Sequence, residues 1–259
     1  MGDLSVEVHD YVAVVTLDRP PVNAVTPQTY LEIIEVFESF AQRRDVRAVI
    51  FTASGTRAFV GGADLASIDD PDPANWPARR VVDRGVLARD AMWAIGDCAV
   101  PVIGAINGPA IGAGVALAAM CDVLVVADHA TFGLTEINVG LLGASSHLSL
   151  MVSRHIAREL FFTGELISAA ELQALGAIRH VVPTGELVAT ARRIAETLAA
   201  KSPIALRLAK ESMNRAEFLA LKDAYRTEQD YTARLLSFED SAEARAAYLE
   251  KRSPEWKWR

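Results

Sequence analysis

Residues 100–127 read VPVIGAINGPAIGAGVALAAMCDVLVVA, a run of 28 in which Asn107 and Asp122 are the strongly polar members. That exceeds the roughly 20 apolar residues that cross a bilayer as one helix. Asn107-Gly108-Pro109, however, is a turn signature, and Pro101 opens the run. Proline removes a helix donor and clashes with the preceding turn, so a single helix is ruled out. The stretch divides instead into a buried strand, a glycine-bearing turn, a short packed helix and a second buried strand. Strands joined by helices imply an α/β class.

Working outward, Val6, Val8, Val12, Val14 and Leu17 alternate around His9-Asp10, which predicts a hairpin with one buried face. Thr26-Pro27 is an N-cap followed by proline at the first helical position. Behind it Tyr30, Ile33, Ile34, Phe37, Phe40 and Ala41 hold helical spacing, predicting a helix over 27–43. A short strand follows at 46–52, then the Gly61-Gly62 turn, a Pro/Asp-rich loop from Asp69 to Pro77 and a helix over 78–97. Ser168-Ala169-Ala170-Glu171 is a capping box opening a helix that Gly176 closes. Ile178 to Val182 reads as a strand. From Glu186 to Lys251 the pattern is nearly continuous helix, interrupted at Ser202-Pro203 and near Asp240. We divide the chain into a core over 1–195 and a helical C-terminal region over 196–259.

Composition narrows the function. Lys and Arg total 26 against 33 Asp and Glu, a net charge of -7, which argues against nucleic acid as partner. Two cysteines, Cys98 and Cys121, sit on apolar segments with no metal-ligand or disulfide spacing. The N-terminus lacks a basic-then-apolar signal, and together these features predict a cytoplasmic protein without membrane attachment. HExxH, the phosphate-cradling GxxxxGKS/T and a full GxGxxG are all missing. Gly143-Ala144-Ser145-Ser146-His147 approaches a nucleophile elbow but lacks the glycine after the serine.

Three segments carry chemistry together. In Ala58-Phe59-Val60-Gly61-Gly62-Ala63-Asp64-Leu65, adjacent glycines break an apolar run before a helix start. Asn107 to Gly114 has the same character, a small-residue turn opening a helix. Helix N-termini offer unpaired N–H donors to developing negative charge, and two such turns converging make an oxyanion hole. Ala130 to Gly140 places one carboxylate, Glu136, in an otherwise apolar run, where desolvation would raise its pKa toward acid/base use. Taken singly, each has a plainer reading: turn geometry, close helix packing, or a surface or capping glutamate.

Their order and spacing resemble the crotonase superfamily, the enoyl-CoA hydratases and isomerases. The similarity extends from Arg19-Pro20-Pro21-Val22-Asn23-Ala24 through Ala105–Asp122 and Phe161-Phe162-Thr163-Gly164 to Leu249-Glu250-Lys251-Arg252. The resemblance implies a spiral of ββα repeats with a helical C-terminal trimerisation region, assembled as a homotrimer or homohexamer. It implies oxyanion-hole N–H groups at Ala63 and Ala113, with Glu136 as the acid/base at the substrate α-carbon. Coenzyme A, part of the acyl-CoA thioester substrate rather than a separate cofactor, would lie along Val22 to Ala24 and the Asp64-Leu65 turn. Trp256 and Lys257 match an aromatic–lysine pair that reaches the coenzyme A of a neighbouring subunit. No metal is implied.

Two departures bear on the reaction. The first glutamate of two-carboxylate hydratases falls at Ala116, and the glycine-rich stretch after the second glutamate reads Leu142-Gly143-Ala144-Ser145-Ser146-His147. One carboxylate suffices to shuttle a proton between C2 and C4, which is isomerase chemistry. Phe132 to Asn138 also resembles the hydroxycinnamoyl-CoA hydratase-lyases, which keep the second glutamate alone. His147 stands where it would replace a lost polar group. The expectation is an enoyl-CoA hydratase or isomerase; a non-catalytic acyl-CoA-binding protein is the rival, separated by whether Glu136 is buried or faces solvent.

Overall fold

The computed structural model describes residues 2–67 and 76–259, so the loop read from Asp69 onward lies, up to residue 75, outside the described residues. β1 (Leu4–His9) and β2 (Val12–Leu17) form the expected hairpin, closed by Asp10 and Tyr11, both at positive φ, as a two-residue turn of this hand requires. The single buried face is corrected: Val6 is exposed, whereas Val12, Ala13, Val15 and Leu17 are all fully buried. β2 is an interior strand covered on both faces, so its sequence is nearly continuous in apolar residues.

α1 (Pro27–Ser39) begins with Thr26 and Thr29 capping one another and ends in a 3-10 turn over Phe40–Gln42, within the span the sequence predicted. After β3 (Ala48–Ala53), the helix expected over 78–97 is two, α2 (Ala78–Val82) and α3 (Val86–Gly96). The break comes where Asp83 Oδ1 accepts the Gly85 N–H at 2.9 Å, a local turn that competes with the helix. The 100–127 run resolves as read: β4 (Val102–Ile106), the turn, β5 (Ala110–Ile111), α4 (Ala113–Ala119) and β6 (Val123–Ala127). Next come β7 (Thr131–Gly133), α5 (Ser145–Met151), α6 (Arg154–Thr163), β8 (Leu166–Ser168), α7 (Ala169–Ala174) and β9 (His180–Val182). The Ser168–Glu171 capping box starts α7 as expected. The C-terminal stretch is α8 (Leu187–Ala199), α9 (Pro203–Ala216), α10 (Leu221–Leu236) and α11 (Glu239–Glu250). Among the described residues no helix is long and apolar enough to cross a membrane.

The main sheet runs β1-β2-β3-β4-β6-β9, parallel from β2 onward. One face carries α1, α3 and α4 over a core centred on Phe37, Phe51, Phe59 and Phe132. The other is covered by α8, whose Leu187, Ala191, Ala195 and Ala199 repeat at the helical spacing of four. α8 therefore crosses residue 195, where the sequence divided the chain, and stays on the sheet through Ala199.

A second, smaller set of pairings positions the site. Val60 bridges Ala110, and Ala110 pairs with Phe132, all in parallel register; Val25 bridges Ala63 alongside. Each large strand is thus followed by a short rung and then by a helix or turn: β3 by Val60, β4 by β5, β6 by β7. This is the ββα spiral. Rungs spaced about 4.8 Å apart deliver the segments just beyond Val60, Ala110 and Phe132 to one edge of the molecule.

Candidate active site

The three sequence segments converge at that edge. The Phe59 N–H donates to Pro109 O at 3.0 Å and the Ile111 N–H to Val60 O at 2.9 Å, binding the first turn to the second. The Gly112 N–H donates to Gly133 O at 2.9 Å, binding the second to the strand before Glu136. A Cβ on Gly114 would stand 2.4 Å from Val60 O, so the close approach of α4 to the first turn admits glycine alone. A Cβ on Gly112, itself at φ 54°, would stand 2.6 Å from Glu136 Oε1. The carboxylate thus lies directly against the N-terminus of α4.

Most N–H groups in these turns are taken. Gly61 donates to Val22 O at 2.8 Å, Val25 to Gly62 O and Asp64 to Val25 O, both at 2.9 Å. The Ala63 and Ala113 N–H groups donate to no acceptor among the described residues; Ala113 is the first residue of α4, where no intrahelical acceptor exists. The structure therefore gathers Ala63, Ala113 and Glu136.

Glu136 opens a 3-10 turn over Glu136–Val139 rather than sitting on a strand. It is half-buried, and its Oε2 is shielded from solvent without a hydrogen-bond partner. Burial holds its pKa above the ordinary glutamate range, partly opposed by a backbone hydrogen bond. The Tyr30 hydroxyl is pushed upward too, first by burial and then by the negative charge of Glu136. Ala116, on α4, is buried. His147, in the first turn of α5, has both ring nitrogens shielded and unpartnered, and burial lowers its pKa.

Residues the sequence linked to coenzyme A are partly assembled here. Arg19 donates to Ala24 O at 2.9 Å and to Asp64 Oδ2 at 2.8 Å, so Val22, Ala24, Asp64 and the exposed Leu65 share the flank beside Ala63. Trp256 and Lys257 are not brought to Glu136 of the same chain. The Trp256 indole donates to Ala200 O at 3.1 Å, and the Lys257 N–H to Asp240 Oδ1 at 2.8 Å.

The sequence reading missed two anchors. Asn23 Nδ2 donates to Ser54 O and Ala58 O at 3.1 and 2.9 Å, and Asn107 Nδ2 to Ala53 O and Gly55 O at 2.8 and 2.6 Å. Together they fix the loop that feeds the first turn. In the sequence Asn107 signals only a turn, and the sole signal for Asn23 is its place between Arg19 and Ala24.

A parallel spiral with two backbone turns and one carboxylate at its edge defines the crotonase type of fold. Residues 7–259 match the profile of the family described as enoyl-CoA hydratase/isomerase. The chain is 37% identical over 254 residues to a (7aS)-7a-methyl-1,5-dioxo-2,3,5,6,7,7a-hexahydro-1H-indene-carboxyl-CoA hydrolase of Rhodococcus jostii, covering 98% of this chain and 96% of that one. It is 31% identical over 259 residues to a short-chain-enoyl-CoA hydratase of Clostridium acetobutylicum, covering 98% and 97%. The crystal structure of an enoyl-CoA hydratase from Bacillus anthracis superposes with a TM-score of 0.90 at 30% identity, covering 99% and 100%. The chain belongs to the enoyl-CoA hydratase/isomerase family.

Proposed function

We propose that the chain acts on acyl-CoA thioesters through an enolate, with Glu136 as its one acid/base. The observation that carries this is the Glu136 carboxylate standing against Gly112 beside the ungiven N–H of Ala113, with alanine at 116 where a second carboxylate would be. The thioester oxygen accepts from the Ala63 and Ala113 N–H groups, donors of a kind that lower a barrier by about 3–4 kcal/mol each. Glu136 takes the proton at C2, the C3–C4 double bond moves to C2–C3, and Glu136 returns the proton at C4. A carboxyl with an elevated pKa suits this exchange, because it holds the proton between the two steps. Two-carboxylate hydration orients a water between both groups, and Ala116 supplies no second carboxylate, so that arrangement is not used unchanged.

A second reading is hydrolysis of a keto-bearing ring thioester, with Glu136 activating water; the name of the Rhodococcus jostii relative favours it. We further infer a trimeric or hexameric assembly in the cytoplasm, where the free thiols of Cys98 and Cys121 would persist. The experiment is a comparison of 3-enoyl-CoA isomerisation, crotonyl-CoA hydration and cyclic keto-acyl-CoA hydrolysis by the purified protein. Isomerisation is expected to outrun crotonyl-CoA hydration by about tenfold or more. Equal or faster hydration would overturn the one-carboxylate mechanism, and hydrolysis alone would replace it with the second reading.

A further inference from the structure

The loop that follows Glu136 folds back onto it. The Leu141 N–H donates to Glu136 O at 2.9 Å, and a Cβ on Gly143 would lie 3.6 Å from Glu136 Oε1. Ala144, at φ 55°, then turns the chain into α5, whose first turn carries His147. α5 and α3 both pack on α4, the helix that bears Ala113 and Ala116. The imidazole stands edge-on to Trp93 of α3, with ring centroids 6.0 Å apart and planes at 90°. The half-buried ring thus lies where the three helices meet, one helical turn from the loop that touches the carboxylate.

Both ring nitrogens are cut off from solvent, and neither has a hydrogen-bond partner among the described residues. Packing alone does not explain that, since a leucine or phenylalanine would fill the place without leaving a donor and an acceptor unpaired. A neutral imidazole carries one N–H donor and one acceptor nitrogen, and burial favours that form by lowering the pKa. Such a ring can donate to a ketone, or donate to and accept from a hydroxyl. Carboxylate and imidazole are thus both unsatisfied, Glu136 against the N-terminus of α4 and His147 on α5, which packs on the same helix.

We infer that His147 is a specificity-determining residue that hydrogen-bonds an oxygen substituent, keto or hydroxyl, on the acyl chain beyond C3. The enzyme then prefers oxygenated acyl groups to plain hydrocarbon ones. This rests on the reading above that the site takes an acyl-CoA thioester.

The test uses unreactive saturated thioesters: hexanoyl-CoA against 4-oxohexanoyl-CoA and 5-oxohexanoyl-CoA, titrated calorimetrically into the wild type, His147→Phe and His147→Gln. Melting temperatures are measured alongside to confirm that each variant is folded. The wild type is expected to bind one oxo-thioester about tenfold or more tightly than hexanoyl-CoA. His147→Phe should erase that preference, lowering oxo-thioester affinity more than hexanoyl-CoA affinity, while His147→Gln, which keeps a donor and an acceptor, should retain part of it. A wild type without preference, or a preference that survives in His147→Phe, would overturn the assignment. Failure to bind any of the three thioesters would overturn the acyl-CoA reading itself.

Discussion

Glu136 is held where the fold penalises its charge. One oxygen has no partner, and burial raises its pKa. Because the folded pKa exceeds the unfolded one, the native state binds more protons between the two values, so this group's contribution to stability falls as pH rises through that window. Above it the full cost of the buried charge is present. Glu136→Gln should therefore raise the melting temperature at pH values above that window while lowering turnover by ~10²–10⁴-fold. In the wild type, kcat/KM should climb with pH through the elevated Glu136 pKa, and that limb should vanish in the variant. Retention of more than half the wild-type rate would remove Glu136 from the mechanism. These segments stand out as anomalies in apolar runs (a glycine pair, a small-residue turn, a lone carboxylate), but the roles of Ala63, Ala113 and Glu136 come from their resemblance in order and spacing. Asn23 and Arg19 were not legible as anchors. Their partners, Ala58 O and Asp64 Oδ2, lie 35 and 45 residues away, and no local pattern announces such a bond.

At the scale of elements, termini were better marked than pairings. The Thr26 and Ser168 caps follow from side chains reaching backbone donors within one turn, which is local chemistry. The rungs at Val60 and Ala110–Ile111 are one or two residues long, too short to show any periodicity, so the ββα repeat came from resemblance alone. The break between α9 and α10 escaped because Glu217-Phe218-Leu219-Ala220 contains neither glycine nor proline. What keeps α9 on the core is a buried clip. Lys210 Nζ donates to Asp122 Oδ2 at 2.7 Å, Ile95 O at 3.2 Å and Val100 O at 3.4 Å, and Asp122 Oδ2 also accepts the Val102 N–H. Burial pushes the Asp122 pKa up, and the Lys210 ammonium pulls it back. Lys210→Met would leave that carboxylate without its cation. The cost should be about 2–3 kcal/mol, less than for a fully enclosed pair because Asp122 is partly exposed. Adding Asp122→Asn should recover part of it. Urea denaturation reads both; a loss below about 1 kcal/mol would mean the clip is incidental.

The whole molecule leaves large apolar side chains exposed on its C-terminal helices. Phe218 is 80% exposed, Leu221 87% and Tyr248 84%, and α10 has no buried residue although its apolar side chains recur on one face. Exposed apolar side chains clustered on adjoining C-terminal helices fit a subunit interface better than a solvated layer. The tail beyond α11 is pinned: buried Asp240 accepts the N–H groups of Lys257 and Trp258, leaving the Lys257 side chain exposed. A lysine whose backbone is so fixed and whose side chain is exposed is suited to reach across to another subunit's ligand. Light scattering at micromolar concentration should find a trimer or hexamer, and Leu221→Asp with Tyr225→Asp, one helical turn apart on α10, should shift it toward smaller species. Lys257→Ala should then weaken coenzyme A binding in the intact assembly and leave it unchanged in the dissociated double variant, since only an assembled neighbour presents the ammonium. A stable wild-type monomer would defeat both parts at once. An oligomer in which Lys257→Ala binds coenzyme A normally would keep the interface and remove the lysine from the site.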